Sequence, residues 1–280
     1  MSKCLSEEKK QRKKDSGFRN LRRFARPSTL YPQPLVIARD TRHATRLAAF
    51  VCLVLLIVFS MPDPCSADVY VYDAVAVQGE EVRLKAETRG TVFIKGGELV
   101  EFFVDDASLG KNLSGGDGAA YRFYKASRPG LKSIRAVSRN LAGTGFLLVL
   151  KPAAGVVAVD VEGSLLLDGF LSPGRPESRK ALELIAKRFP LIYLQSGQTS
   201  LKAVRYWLQQ NEYADAPLLP WDDGAFFDAL AKKGLKIRAV IGAPVVIESA
   251  ARHKPEAFSF EPVKGAVRLK SWKEMEERLK

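Results

Sequence analysis

The chain has 280 residues, of which 46% are hydrophobic and 27% charged, and a formal net charge of +13. That length holds one or two domains. The charge is concentrated: residues 1–46 carry thirteen Lys/Arg against four acids, leaving only +4 for residues 47–280. Basicity therefore belongs to a leader. It argues against a nucleic-acid reading of the remainder, where the sequence shows no basic stripe interleaved with aromatics.

After the basic segment 1–46, Leu47 to Met61 is a stretch of fifteen residues without a charge. A spanning helix needs about 20 apolar residues and the core of a signal peptide about 7–15. Pro62 and Pro64 break the run, and Cys65-Ser66-Ala67 offers small residues for cleavage before Asp68. Residues 47–67 thus read as a signal-peptide core or an uncleaved membrane anchor, with a buried core segment as the remaining alternative. The Lys/Arg excess lies on the side that stays in the cytoplasm. Either of the first two readings places residues 68–280 outside the cytoplasm, periplasmic or extracellular, with membrane contact through 47–61 if uncleaved. All three cysteines (Cys4, Cys52 and Cys65) precede the cut. The mature chain has neither a disulfide framework nor a Cys-based metal site. Cys65 follows Asp-Pro and lacks the small and aliphatic neighbours of a lipidation site.

Residues 68–151 read as short alternating strands: 69–72, 81–86, 99–104, 121–124 and 132–137. Turns at Arg89-Gly90, Gly96-Gly97, Gly115-Gly116-Asp117-Gly118 and Pro129-Gly130 divide them. Regularly spaced short strands without helical periodicity predict an all-β antiparallel sandwich. The order Gly-Glu-Glu-Val-Arg-Leu, Val-Glu-Phe-Phe-Val-Asp-Asp, Asp-Gly-Ala-Ala, Pro-Gly-Leu, Ile-Arg-Ala resembles bacterial immunoglobulin-like repeats. Asn112-Leu113-Ser114 matches a glycosylation sequon and is read as a polar turn.

Residues 155–280 change texture, and apolar runs alternate with helical patterns. Strands are expected at 156–160, 191–195, 216–220, 236–242 and 257–260. Helices are expected near 176–188, 199–210, 224–233, 244–252 and 271–279. Ala181, Leu182, Ile185, Ala186 and Phe189 form one helical stripe, and Leu201, Val204, Trp207 and Leu208 another. Strand–helix alternation implies right-handed crossovers and a three-layer α/β domain with a parallel sheet. Trp207, Phe226 and Phe227 are core residues in this reading.

The run Val156-Val157-Ala158-Val159-Asp160-Val161-Glu162-Gly163-Ser164 carries the candidate chemistry. It is a buried parallel strand ending in a carboxylate, with a second carboxylate two residues on. Open α/β sheets bind ligands at the carboxyl ends of their strands. A second strand ends at Gln195-Ser196-Gly197, and another at Ile241-Gly242-Ala243-Pro244. Together these resemble the haloacid dehalogenase (HAD) superfamily, and within it the capless lipin-type phosphatidate phosphatases and the carboxy-terminal modules of phosphatidylinositol-transfer proteins.

That resemblance implies phosphoryl transfer through an aspartyl-phosphate. Asp160 would be the nucleophile, Glu162 the general acid and base, and Ser164, Ser196 and Gly197 the phosphate binders. Mg²⁺ would be held by Asp160 and Glu162, with Asp222 as a substitute ligand. The substrate would be a phosphorylated small molecule or a lipid head group. Two departures stand against it. Family members usually have Asp where Glu162 stands, and one methylene shifts a proton donor by about 1 Å, worth ~100-fold if uncompensated. The segment Gly242-Ala243-Pro244-Val245-Val246-Ile247 offers no carboxylate where the family places acids for Mg²⁺, and Glu248 comes one step late. Asp222 and Asp223 also read as a helix N-cap before Gly224, and Lys232, Lys233 and Lys236 as surface charges or a positioning lysine. His253, the sole histidine after the leader, reads as a helix-end charge. Two functions remain open: an extracytoplasmic HAD-like phosphohydrolase, or a catalytically inactive HAD-like binding or scaffold protein with an immunoglobulin-like adhesion module.

Overall fold

The computed structural model describes residues 68–89, 96–167 and 169–279. The basic segment, the apolar segment 47–67 and the three cysteines lie outside the described residues. Among the described residues, no helix is long and apolar enough to cross a membrane. The described residues all fall in one compact unit.

Eight strands come first: β1 (Asp68–Val71), β2 (Ala74–Val77), β3 (Glu81–Arg89), β4 (Leu99–Val104), β5 (Ala107–Leu113), β6 (Ala119–Lys125), β7 (Gly130–Ser138) and β8 (Leu141–Leu150). They form a three-stranded sheet, β1-β3-β6, and a five-stranded sheet, β2-β8-β7-β4-β5. Alternate residues of β3 and β4 (Val82, Leu84, Ala86; Val100, Phe102, Val104) meet Ile134, Ala136, Leu147 and Val149 in one buried cluster. Each fully buried aliphatic or aromatic side chain there contributes about 1.5–3 kcal/mol. The two sheets therefore make a sandwich.

It departs from the expectation in having three further strands, β2, β5 and β8, and in that β2 pairs parallel with β8. The chain leaves the small sheet at Val71 and enters the large one at Ala74. Buried Asp73 fixes the crossing, accepting from Phe146 N at 2.6 Å and from Leu218 N at 2.7 Å. The sequon also departs from its reading as a turn. Asn112 and Leu113 end β5, and Asn112 Nδ2 donates to Tyr121 O at 2.6 Å.

Six strands follow: β9 (Gly155–Asp160), β10 (Leu191–Gln195), β11 (Leu218–Pro220), β12 (Lys236–Ile241), β13 (Glu256–Ser259) and β14 (Val267–Arg268). All adjacent pairs are parallel, in the order β11-β10-β9-β12-β13-β14. Counted from β9, this is 3-2-1-4-5-6, a doubly wound sheet that changes direction between β9 and β12. The helices are α1 (Ser178–Ala186), α2 (Leu201–Gln210), α3 (Ala225–Lys232), α4 (Pro244–Ala250) and α5 (Trp272–Arg278).

Because side chains alternate along a strand, β9 feeds two cores. Val157 and Val159 face α1, α2 and α5 through Leu182, Ile185, Val204, Trp207, Trp272 and Met275. Val156 and Ala158 face α3 and α4 through Phe226, Phe227, Leu230, Val246 and Ile247. That second cluster also contains Val75, Leu148 and Leu150 of the sandwich. Arg205 of α2 completes the join, reaching Asp73 Oδ2 at 2.8 Å and the Val71 and Thr144 carbonyls at 2.8 and 2.9 Å. Lys202–Asp68 and Lys233–Glu80 add two further ion pairs.

Candidate functional site

Asp160 ends β9 at the point where the sheet changes direction, and it is fully buried. Directly after it, Val161–Leu165 forms a single π-helical turn, a backbone form found often at functional sites. The turn closes through Ser164, whose hydroxyl donates to the Asp160 carbonyl at 2.5 Å. Trp272 Nε1 donates to the Ser164 carbonyl at 3.2 Å and ties the turn to α5.

The two Asp160 oxygens face different strand ends. Oδ1 accepts from Ser196 Oγ at 2.6 Å, just past β10. Oδ2 accepts from Ala243 N at 2.9 Å, just past β12. Two glycines make this closeness possible. A Cβ at Gly163 would overlap Asp160 Oδ2 and stand 2.7 Å from the Ala243 Cβ. A Cβ at Gly242 would lie 2.7 Å from the Asp160 Cβ. The glycine of Glu-Gly-Ser is thus needed for space around the carboxylate.

Glu162 reaches the same strand end: its Oε2 accepts from Ser196 N at 3.1 Å. Its Oε1 is buried and has no hydrogen-bond partner. Gly197 lies against it, where an added Cβ would stand 3.0 Å from Oε1. Ser196 therefore serves both acids, one through its hydroxyl and one through its amide.

Burial raises the Asp160 carboxyl above the ordinary aspartate range. The Ser196 hydroxyl and the Ala243 amide oppose this without reversing it. Burial likewise raises Glu162; the Ser196 amide counteracts it, and the Asp160 charge pushes it further up. Among the described residues no basic side chain is paired with either acid. Two neighbouring acids that each resist ionisation can hold and exchange protons, so acid–base work is within their chemistry.

The other expected participants are placed elsewhere. Ser164 is fully buried and bonded to backbone, so it faces no ligand. Asp222 and Asp223 are exposed, in a 3-10 turn with φ of 48° and 50° that turns them to solvent. They do not cap α3 either, because Gly224 occupies the N-cap and no side chain bonds there. Glu248 is exposed on α4. Lys233 pairs with Glu80, and Lys232 and Lys236 are exposed. His253 Nε2 stands 3.1 Å from Asp228 Oδ1.

Mg²⁺ prefers six oxygens in near-octahedral geometry, including carboxylates. Among the described residues, no three His, Cys, Asp or Glu side chains gather to hold a metal. Both oxygens of Asp160 already accept hydrogen bonds in a space closed by Gly163 and Ala243. The residues present do not fit the ion. Reading the sequence did not reveal the Ala243 amide or the spacing role of Gly163 and Gly242. Gly242 at the end of the apolar run Ile237–Ile241 was the available signal.

No protein-family model and no curated protein matches the sequence. Solved structures similar to part of the chain include the IG27 protein domain, at 10% identity over 30% of this chain and 96% of that one, TM-score 0.25. The fibronectin(III)-like modules of Clostridium thermocellum CbhA match at 18% identity over 30% of this chain and 97% of theirs, TM-score 0.21. The D00-D0 domain of Intimin matches at 17% identity over 32% of this chain and 50% of that one, TM-score 0.25. Scores this low carry no weight for function; the sandwich stands on its own strand register.

Proposed function

We propose that this is an extracytoplasmic binding or scaffold protein. In it an immunoglobulin-like sandwich is fused to a HAD-like α/β module without metal-dependent phosphohydrolase chemistry. One observation carries the reading: Asp160 is enclosed by Ser196, Ala243 and Gly163, and among the described residues no third acid joins it and Glu162. A nucleophilic aspartate must be open to an incoming phosphorus atom, and both Asp160 oxygens are already engaged in an enclosed space. The strand order and the position of Asp160 at the switch point support HAD-like ancestry. The apolar stretch 47–61 after a basic leader supports export or tethering, with the described residues outside the cytoplasm.

The test is turnover of p-nitrophenyl phosphate and phosphatidate by the purified full chain, with Mg²⁺ or EDTA, beside Asp160→Asn. The binding reading expects no metal-dependent turnover that the substitution removes. Such turnover, abolished in Asp160→Asn, would restore the phosphohydrolase, with Mg²⁺ as cofactor and a phosphorylated small molecule or lipid head group as substrate.

A further inference from the structure

The outer face of the three-stranded sheet is a checkerboard of rings and cations. Val82, Leu84 and Ala86 of β3 point into the sandwich core, so Glu81, Arg83, Lys85 and Glu87 point away from it. The strand register sets Lys85 beside Tyr121 and Arg83 beside Phe123. Tyr72 N donates to Lys85 O at 3.0 Å, which brings the Tyr72 ring to the other side of Lys85. The Arg83 guanidinium lies 4.6 Å from the Tyr121 ring centre, and the Lys85 ammonium 4.2 Å from that of Tyr72. Among the described residues neither cation lies within ion-pair distance of a carboxylate, although the Lys85 charge acts on Glu87 two residues along. Of the acids at the margin, Glu87 is engaged: it accepts from the Tyr72 hydroxyl at 2.6 Å and pairs with Arg89 at 2.8 Å. Glu81 stands in register with Lys125. Phe123 is 60% exposed.

We propose that this face docks an anionic polysaccharide of the polyuronate kind. The proposal names the partner of the extracytoplasmic binding reading and rests on it. Charge complementarity favours it. A guanidinium held over a ring keeps N–H groups that can grip a carboxylate in pairs. Lys85 supplies a second positive charge, and the open Phe123 ring offers an apolar plate for the C–H face of a sugar. Side chains two apart on a strand are spaced about 7 Å, so these groups suit an extended chain better than a small ion. A nucleic acid is also an anionic chain, and poly(dT) is the probe that separates it from a polyuronate. One protruding apolar ring is too little for a lipid surface.

The experiment is a titration of fluorescent oligogalacturonate with the purified full chain at low and physiological salt. Neutral dextran, poly(dT) and anionic lipid vesicles are the other probes. The expected result is binding to oligogalacturonate that weakens with salt, with none to dextran. Phe123→Ala and Arg83→Gln should each weaken it by about tenfold or more, while Lys232→Ala, on α3, leaves it unchanged. Melting temperatures confirm that the variants are folded, and Lys85→Gln gives an independent variant if one is not. No binding at low salt overturns the proposal. So does binding insensitive to these substitutions, or tighter binding to poly(dT) or vesicles. None of these failures bears on turnover at Asp160, so the two readings fall separately.

Discussion

Replacing Asp160 by Asn should stabilise the protein at neutral pH. The carboxyl is fully buried, and burial holds its folded-state pKa above the unfolded value of about 3.9. With the folded pKa raised, the native state binds more protons than the unfolded state between the two values. Stability from this group is fully present below the unfolded pKa and is lost as pH rises through the folded one. Every unit of elevation corresponds to about 1.4 kcal/mol lost at high pH. Asn keeps the shape: its oxygen accepts from Ala243 N and its amide donates to Ser196 Oγ, with no charge to ionise. A gain of about 1–3 kcal/mol at pH 7 is expected, the range for a poorly compensated buried polar group. For a unit of this size that raises the melting temperature by roughly 2–4 °C per kcal/mol. The assay is thermal unfolding of the full chain and of Asp160→Asn from pH 4 to pH 8. The advantage of the variant should be small near pH 4 and grow with pH. A variant that is less stable at pH 7, with its deficit widening as pH rises, would refute the reasoning. It would show that the ionised carboxylate is the form the fold supports.

Three further outcomes rest on the same geometry. Gly163→Ala should destabilise by about 1–3 kcal/mol in chemical denaturation, because its Cβ overlaps Asp160 Oδ2. Combining it with Asp160→Ala should recover part of that loss. Asp73→Ala should cost about 3–5 kcal/mol, since it removes the carboxylate partner of half-buried Arg205 and leaves two amides at the sandwich junction unpaired; urea titration followed by fluorescence reads this. Glu162→Gln should raise the melting temperature at pH 7 and leave it unchanged near pH 4. Its folded pKa is also raised, so the sign is the same as for Asp160.

Much of this fold was legible wherever one face of an element is buried and the other wet. Glu81–Arg89 and Leu99–Val104 alternate cleanly, and the helices carrying Leu182 and Trp207 show their stripes. The strands that escaped lack that contrast. Ala107–Leu113 is an edge strand with little buried surface, so nothing in Ser-Leu-Gly-Lys-Asn fixes a face. Leu141–Leu150 opens with glycines that resemble a loop. They are there for close approach: a Cβ at Gly145 would lie 2.7 Å from Asp73 Oδ1. Ala74–Val77 is too short to show its parallel pairing.

At the site, Asp160, Glu162 and Ser196 could be read because strand ends are marked by the stop of an apolar run. Which strand ends meet is set by sheet order, a tertiary fact, and so the Ala243 amide was invisible. Asp222 looked near because it follows a strand end. A left-handed backbone turns it outward, and no residue type announces that conformation at an Asp.

The most direct test of an enclosed, metal-free Asp160 is an Mg²⁺ titration of the full chain at pH 7, read as a shift in melting temperature. A ligand that binds the folded state alone stabilises it by RT ln(1 + c/Kd), which keeps rising with its concentration c. The expected result is the same small response in the wild type and in Asp160→Asn. A rise in the wild type that grows with the logarithm of Mg²⁺ concentration and vanishes in the variant would contradict it.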